Sequence, residues 1–215
     1  MQYFTFLGVG TLPEGYEEAL YSFEDNKEEI HASKYVQSAI IEKFQSDISE
    51  VFVFCTEKSY SLGARNIKNE IKTKFNIDIK FITINEFVKI EEILQKMDEV
   101  LKEDFIIDVT HSFRNIPISV TMISNYLEVS TKKQLKHLFY GNYNRETNEG
   151  LIIDLINQYE NSKIASSLMA FDQFLKISDT YLYNLNDNKI NILIQIFFKI
   201  FVVFCKSWNV TINIT

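Results

Sequence analysis

Val51-Phe-Val-Phe-Cys-Thr56 is an unbroken run of β-branched and aromatic residues, and a strand apolar at every position is covered on both faces, as in a parallel sheet. Parallel strands need crossover helices, so the rest of the chain should alternate strand with helix. Tyr3 to Leu7 reads as a buried strand stopping at Gly8, and Tyr16 to Phe23 as a second extended segment. Beyond the polar stretch Glu24 to Glu29, the residues Ala32, Tyr35, Val36, Ala39, Ile40 and Phe44 recur with the i, i+3, i+4 spacing of an amphipathic helix. Leu62 to Phe75 reads as helix and Ile77 to Ile84 as strand. Phe87 to Leu101 is helix again, with Ile90, Ile93, Leu94, Met97 and Leu101 on one side, before the strand Phe105 to Ile107. Pro117 to Val129 predicts helix and Leu135 to Tyr140 strand, and the polar turn Gly141 to Gly150 leads into Leu151 to Asp154 as a hairpin. Ser162 to Leu175 is a last amphipathic helix.

Units of this kind pack right-handed, which predicts an α/β fold: a Rossmann-like, mainly parallel sheet with helices on both faces. The 215 residues accommodate one such domain, residues 1–179. Residues 180–215, where Asn and Ile dominate, form a short apolar helical tail, too short for an independent core and readable as a truncated effector domain. With 46% hydrophobic and 24% charged residues, and only 6 Gly and 2 Pro, the chain is neither disordered nor collagen-like.

The net charge of -7 argues against general binding of long nucleic acid, which requires many phosphate-neutralising cations. A small anion held by a few placed donors is compatible with it. Two cysteines, Cys55 and Cys205, provide neither a disulfide framework nor a thiolate metal site, and the start of the chain lacks the basic and long apolar regions of a secretory signal. A reduced, cytoplasmic protein is expected. Ile190 to Cys205 is apolar, yet it contains Asn191, Gln195 and Lys199 and is shorter than the about 20 residues of a spanning helix. It reads as a packing helix, with a membrane anchor as the alternative.

Ligands of open parallel sheets bind beyond the carboxyl ends of the strands, so the loops there carry the functional signal. The first, Gly8-Val9-Gly10-Thr11, lets a phosphate approach backbone N–H groups, although by itself it reads equally as a tight turn. The second, Thr56-Glu-Lys58-Ser59-Tyr-Ser61-Leu-Gly63, offers a cation, hydroxyls and free amides at a helix start; it also reads as a plain capped helix with Ser59 or Ser61 as the cap. The third, Asp108-Val-Thr110-His111-Ser112-Phe-Arg114-Asn-Ile-Pro117, packs a carboxylate, two hydroxyls, an imidazole and a guanidinium into seven residues. A simple strand-to-helix turn does not need that density.

This third loop resembles the D-x-T-H-G motif, often continued as F-R and a nearby Pro, of CRISPR-associated proteins that carry a CARF domain. Phe6-Leu-Gly-Val-Gly10, Phe54-Cys-Thr-Glu-Lys-Ser59 and Leu151-Ile-Ile-Asp-Leu155 add to the match, which spans roughly residues 3 to 179. The resemblance implies a sensor of type III CRISPR systems that dimerises about a two-fold axis and binds cyclic oligoadenylate, most often the tetramer, between subunits. It carries the ligand-binding role onto Gly8, Val9, Gly10, Thr11, Thr56, Lys58, Ser59, Asp108, Thr110, His111, Ser112 and Arg114. Ser112 replaces the family's usual Gly, and its hydroxyl adds a possible contact to phosphate or 2′-OH.

Some CARF domains also cleave the ring, which makes a ring nuclease the alternative. Attack of a ribose 2′-OH on its own phosphate would give a 2′,3′-cyclic phosphate with no metal and no cofactor, using Thr110, His111, Ser112 and Arg114. His31 and His137 fall in a helix approach and a strand, outside the candidate loops. Larger family members end in a HEPN ribonuclease domain, marked by an Arg and a His four to six residues apart, and no Arg of this chain has such a His. An unrelated metal-dependent nucleotide hydrolase ranks last, because Asp108 has no obvious carboxylate partner in the neighbouring loops.

Overall fold

The computed structural model describes residues 1–9, 16–86, 89–111 and 116–182. Among these the elements run β1 (Gln2–Leu7), β2 (Ala19–Phe23), β3 (Asn26–Ser33), α1 (Val36–Lys43), β4 (Glu50–Cys55), α2 (Glu57–Phe75) and β5 (Ile79–Thr83). There follow α3 (Ile90–Val100), β6 (Phe105–Asp108), α4 (Ile116–Thr131), β7 (Leu135–Asn144), β8 (Glu149–Asp154) and α5 (Ile156–Leu182). The chain divides into two compact units, Met1–Lys163 and Ile164–Thr215, so the first ends inside α5.

In the first unit the strands make one mixed sheet in the order β3-β2-β8-β7-β6-β1-β4-β5. Five pairings are parallel. The two antiparallel ones are the hairpins β2–β3 and β7–β8. The expected α/β class, mainly parallel sheet and late hairpin are therefore present.

Alternation along the central strands sorts their side chains to opposite faces. Tyr3, Leu7, Val51, Val53 and Cys55 pack with α1 and α2 through Ile40, Ile41, Ala64, Ile67 and Ile71. Phe4, Phe6, Phe52, Phe54, Phe105 and Ile107 pack with α3, α4 and the start of α5 through Ile93, Met97, Val120, Ile123, Leu127 and Tyr159. The register pairs Phe4 with Phe52 and Phe6 with Phe54. Their rings stack at 5.0 and 5.2 Å between centroids, worth about 1 kcal/mol per pair beyond the area they bury.

Three expectations need correction. Ala32 and His31 belong to strand β3 rather than to a helix or its approach, and the helix starts at Val36. A two-residue turn at Glu24 and Asp25 folds Asn26–Ser33 back on β2 as an antiparallel edge strand, and its exposed Lys27, Glu28 and Glu29 suit an edge rather than a helix face. Next, α2 begins at Glu57, five residues before Leu62, because Thr56 caps it. The polar segment after Tyr140 continues β7 to Asn144, leaving 145–148 as the turn.

Candidate functional site

The sheet changes direction at β1. From β1 the chain first forms the β2–β3 hairpin at the far edge, then returns through α1 to β4 and β5 with α1 and α2 on one face, whereas β5 crosses back to β6 and then β7 with α3 and α4 on the other. Between the carboxyl ends of β1 and β6 the two layers diverge, which opens the crevice in which sheets of this type bind ligands.

A cavity of about 520 Å³ lies at the carboxyl ends of β1, β4, β5 and β6. Gly8 and Val9 line it from the end of β1, Thr56, Lys58 and Ser59 from the junction of β4 and α2, Glu86 from beyond β5, and His111 from beyond β6. Its floor includes Phe6, Phe54 and Ile84. Six of the expected ligand-binding residues thus meet around one cavity, although they come from three loops distant in sequence. Gly10, Thr11, Ser112 and Arg114 lie outside the described residues, as does Ile190 to Cys205.

Asp108 and Thr110 stand behind the cavity and shape it. The Asp108 carboxylate is fully buried. Its Oδ2 accepts from Thr5 Oγ1 at 2.7 Å and from Tyr3 Oη at 3.3 Å. Its Oδ1 accepts from Thr110 N at 2.9 Å and from the Thr110 hydroxyl. The phenol of Tyr3 is pushed well above its ordinary range, by burial first and by the adjacent Asp108 second, so it remains a donor. Thr110 Oγ1 in turn accepts from Gly141 N at 2.7 Å. A Cβ on Gly141 would come within 3.0 Å of Thr110 Cγ2 and 3.1 Å of Val36 Cγ2, so glycine is what lets β7 pass this close. Because its proton is given to Asp108, Thr110 pins the loop rather than offering a donor to a ligand.

The start of α2 also differs from expectation. Thr56 is the N-cap, and its hydroxyl accepts from Ser59 N at 3.1 Å while Ser59 Oγ accepts from Thr56 N at 2.9 Å. This reciprocal capping box occupies both hydroxyls, and neither Ser59 nor Ser61 is the cap. What remains for an anion is the pair of leading amides, Glu57 N and Lys58 N, at the positive end of a 19-residue helix, together with the exposed Lys58 ammonium.

His111 sits across the cavity, its ring 5.1 Å from that of Tyr16. Burial holds its pKa below the ordinary 6.5, against an opposing pull from Asp108, so the imidazole is neutral at pH 7. Gly8 makes this approach possible, since a Cβ there would lie 3.1 Å from Tyr16 Oη and 3.4 Å from His111 Cβ. Burial raises the Tyr16 phenol to about 12 and the Cys55 thiol to about 11, so neither is a nucleophile at neutral pH.

Among the described residues no group of three or more His, Cys, Asp or Glu is placed to hold a metal ion. Nor is any described helix long and apolar enough to cross a membrane. The sequence assigned Phe6 and Phe54 no role in the site and did not point to Ile84 or Glu86. The signal for Glu86 is its place just beyond a parallel strand. No protein-family model matches the chain, and no curated protein matches it.

Proposed function

We propose that this chain is a CRISPR-associated sensor that binds cyclic oligoadenylate, the tetramer first among the rings, in a two-fold homodimer. The observation that carries the reading is the convergence of Gly8, the leading α2 amides, Lys58 and His111 on one cavity at the switch point of the sheet. Amides at a helix start and one ammonium can hold a phosphate without a strongly basic surface, which suits a chain with a net charge of -7. A two-fold ring presents equivalent phosphates to two equivalent loops, the arrangement an isologous dimer provides.

A second reading, cleavage of the ring, is favoured by His111, a neutral imidazole at the cavity wall. In that reaction the ribose 2′-oxygen bonds to phosphorus as the bond to the 5′-oxygen breaks, and the 2′ proton passes to a base while the leaving oxygen gains one. One experiment separates the readings: the protein is mixed with cyclic tetra-adenylate in EDTA, passed through a retaining filter, and the nucleotide on each side is identified by liquid chromatography. Intact ring retained with the protein supports the sensor, and shorter products support the nuclease. Equal ring on both sides removes both. In the retaining case, Lys58→Ala should weaken binding by about tenfold with an unchanged urea midpoint.

A further inference from the structure

The hydroxyls expected to serve a ligand are already committed. Thr56 Oγ1 donates to Ser59 Oγ and Ser59 Oγ to Thr56 O, each at 3.3 Å, and Thr110 gives its proton to Asp108. Tyr16 is different: its hydroxyl makes no hydrogen bond to any of the described residues. Its Oη reaches to within 3.1 Å of the place a Cβ on Gly8 would take, and its ring is 5.1 Å from that of His111. Tyr16 thus lies against two of the residues that line the cavity. We propose that Tyr16 is a ligand-binding residue of this site, its hydroxyl donating to an oxygen of the ring's sugar–phosphate backbone; this rests on the cyclic oligoadenylate reading and extends it to a residue that none of the three loops had marked.

Room, protonation and rigidity suit Tyr16 to that role. Tyr16 Oη, His111 Cβ and His111 O border one Cβ-sized space at Gly8, at 3.1, 3.4 and 3.6 Å from its centre. Any other residue at position 8 would fill that space, and glycine leaves it empty beside the hydroxyl, at the strand end where a ligand of such a sheet approaches. Burial first, and the phenol of Tyr35 second, raise the Tyr16 pKa to about 12, so the hydroxyl keeps its proton at pH 7. Phosphate oxygens only accept hydrogen bonds, and a neutral donor complements them without repulsion. The ring is also held in place, since it meets Tyr35 edge-on at 5.3 Å between centroids, and Tyr35 is itself 3% exposed. A side chain fixed in this way loses little freedom when a ligand engages it.

Such a donor also fits the charge of the chain. Lys58 is the one cation among the described lining residues, in a protein with a net charge of -7. A run of phosphates held with so few cations depends on neutral donors, which are backbone amides and hydroxyls whose protons are still available.

The test is equilibrium dialysis of cyclic tetra-adenylate in EDTA against the full chain, Tyr16→Phe and Tyr35→Phe. Each substitution removes one oxygen and keeps the ring, so the aromatic contacts among Tyr35, Tyr16 and His111 stay. Tyr16→Phe should weaken binding by about tenfold or more, the scale of one hydrogen bond to a charged group, with an unchanged urea midpoint. Tyr35→Phe should bind as the wild type does, because Tyr35 belongs to the core. Wild-type affinity in Tyr16→Phe, an equal loss in both variants, or a loss that comes with a lowered urea midpoint overturns the role of Tyr16 while leaving the sensor intact. Failure of the wild type to bind the ring overturns the sensor reading and this assignment with it.

Discussion

Two segments of this chain are nearly the same word, Phe105-Ile-Ile-Asp108 and Leu151-Ile-Ile-Asp154, and they end differently. Both are strands, β6 and β8. In both the aspartate closes the strand by accepting from the amide two residues on, Thr110 N at 2.9 Å and Ile156 N at 3.0 Å. Local sequence specifies that much. Their surroundings then separate them. Asp108 is fully buried and satisfied by Tyr3, Thr5 and Thr110 behind the cavity. Asp154 is 31% exposed and accepts from His137 Nδ1 at 2.6 Å and Leu138 N at 3.2 Å. β8 runs antiparallel to β7, and β7 parallel to β6, so although Asp108 and Asp154 both lie opposite Phe139 of β7, their strands leave that level in opposite directions. A binding cleft forms only at the end where parallel strands from both sides of β1 finish together.

The sharpest way to break this comparison is to truncate each aspartate. Asp108→Ala should cost about 3 kcal/mol in urea unfolding, because it strands the buried hydroxyls of Tyr3 and Thr5 and the amide of Thr110. Asp154→Ala should cost about 1 kcal/mol, since water reaches the groups it leaves. Equal costs would mean that the two turns differ in strand direction alone. Gly141→Ala should come next, at about 1 to 2 kcal/mol, by driving a methyl into Thr110 and Val36, and it should also weaken ring binding; unchanged binding would detach the pinned loop from the site.

The smallest effect expected is a pH dependence from His111. Its folded pKa lies below the ordinary 6.5, so above that pH both states are neutral and nothing is lost. As pH falls below 6.5 the unfolded chain takes up the proton before the folded one does, and stability declines until the folded pKa is reached. Between pH 7.5 and 5.5 the wild type should lose up to about 1 kcal/mol more than His111→Gln, compared through urea midpoints. A parallel decline in both proteins would show that His111 does not carry the titration.

Most strands and helices were legible in the sequence because burial on two faces leaves a run such as Val51 to Cys55 no other use. The failures share a cause. Asn26–Ser33 has so few buried side chains that its strand pairing is set by β2, and the helical spacing of Ala32 with Tyr35 and Val36 was a coincidence across a boundary. At the site, Gly8, Lys58 and His111 were found from their loops, and they do face one cavity. The commitments of Thr56, Ser59 and Thr110 were not legible, because a hydroxyl in a sequence carries no mark of whether its proton is already given away.

The sequence by itself determined the alternation of strand and helix, the mainly parallel sheet, and the chemically dense loop after β6, because periodicity and strand burial are written residue by residue. Only the tertiary structure decided that β6 lies beside β1 while β8 points the other way, and that Glu86 completes the cavity. It also decided that Asp108 supports the site from behind rather than reaching into it. Those facts depend on which distant strands become neighbours, and sheet order is fixed by the packing of both faces at once rather than by any one segment.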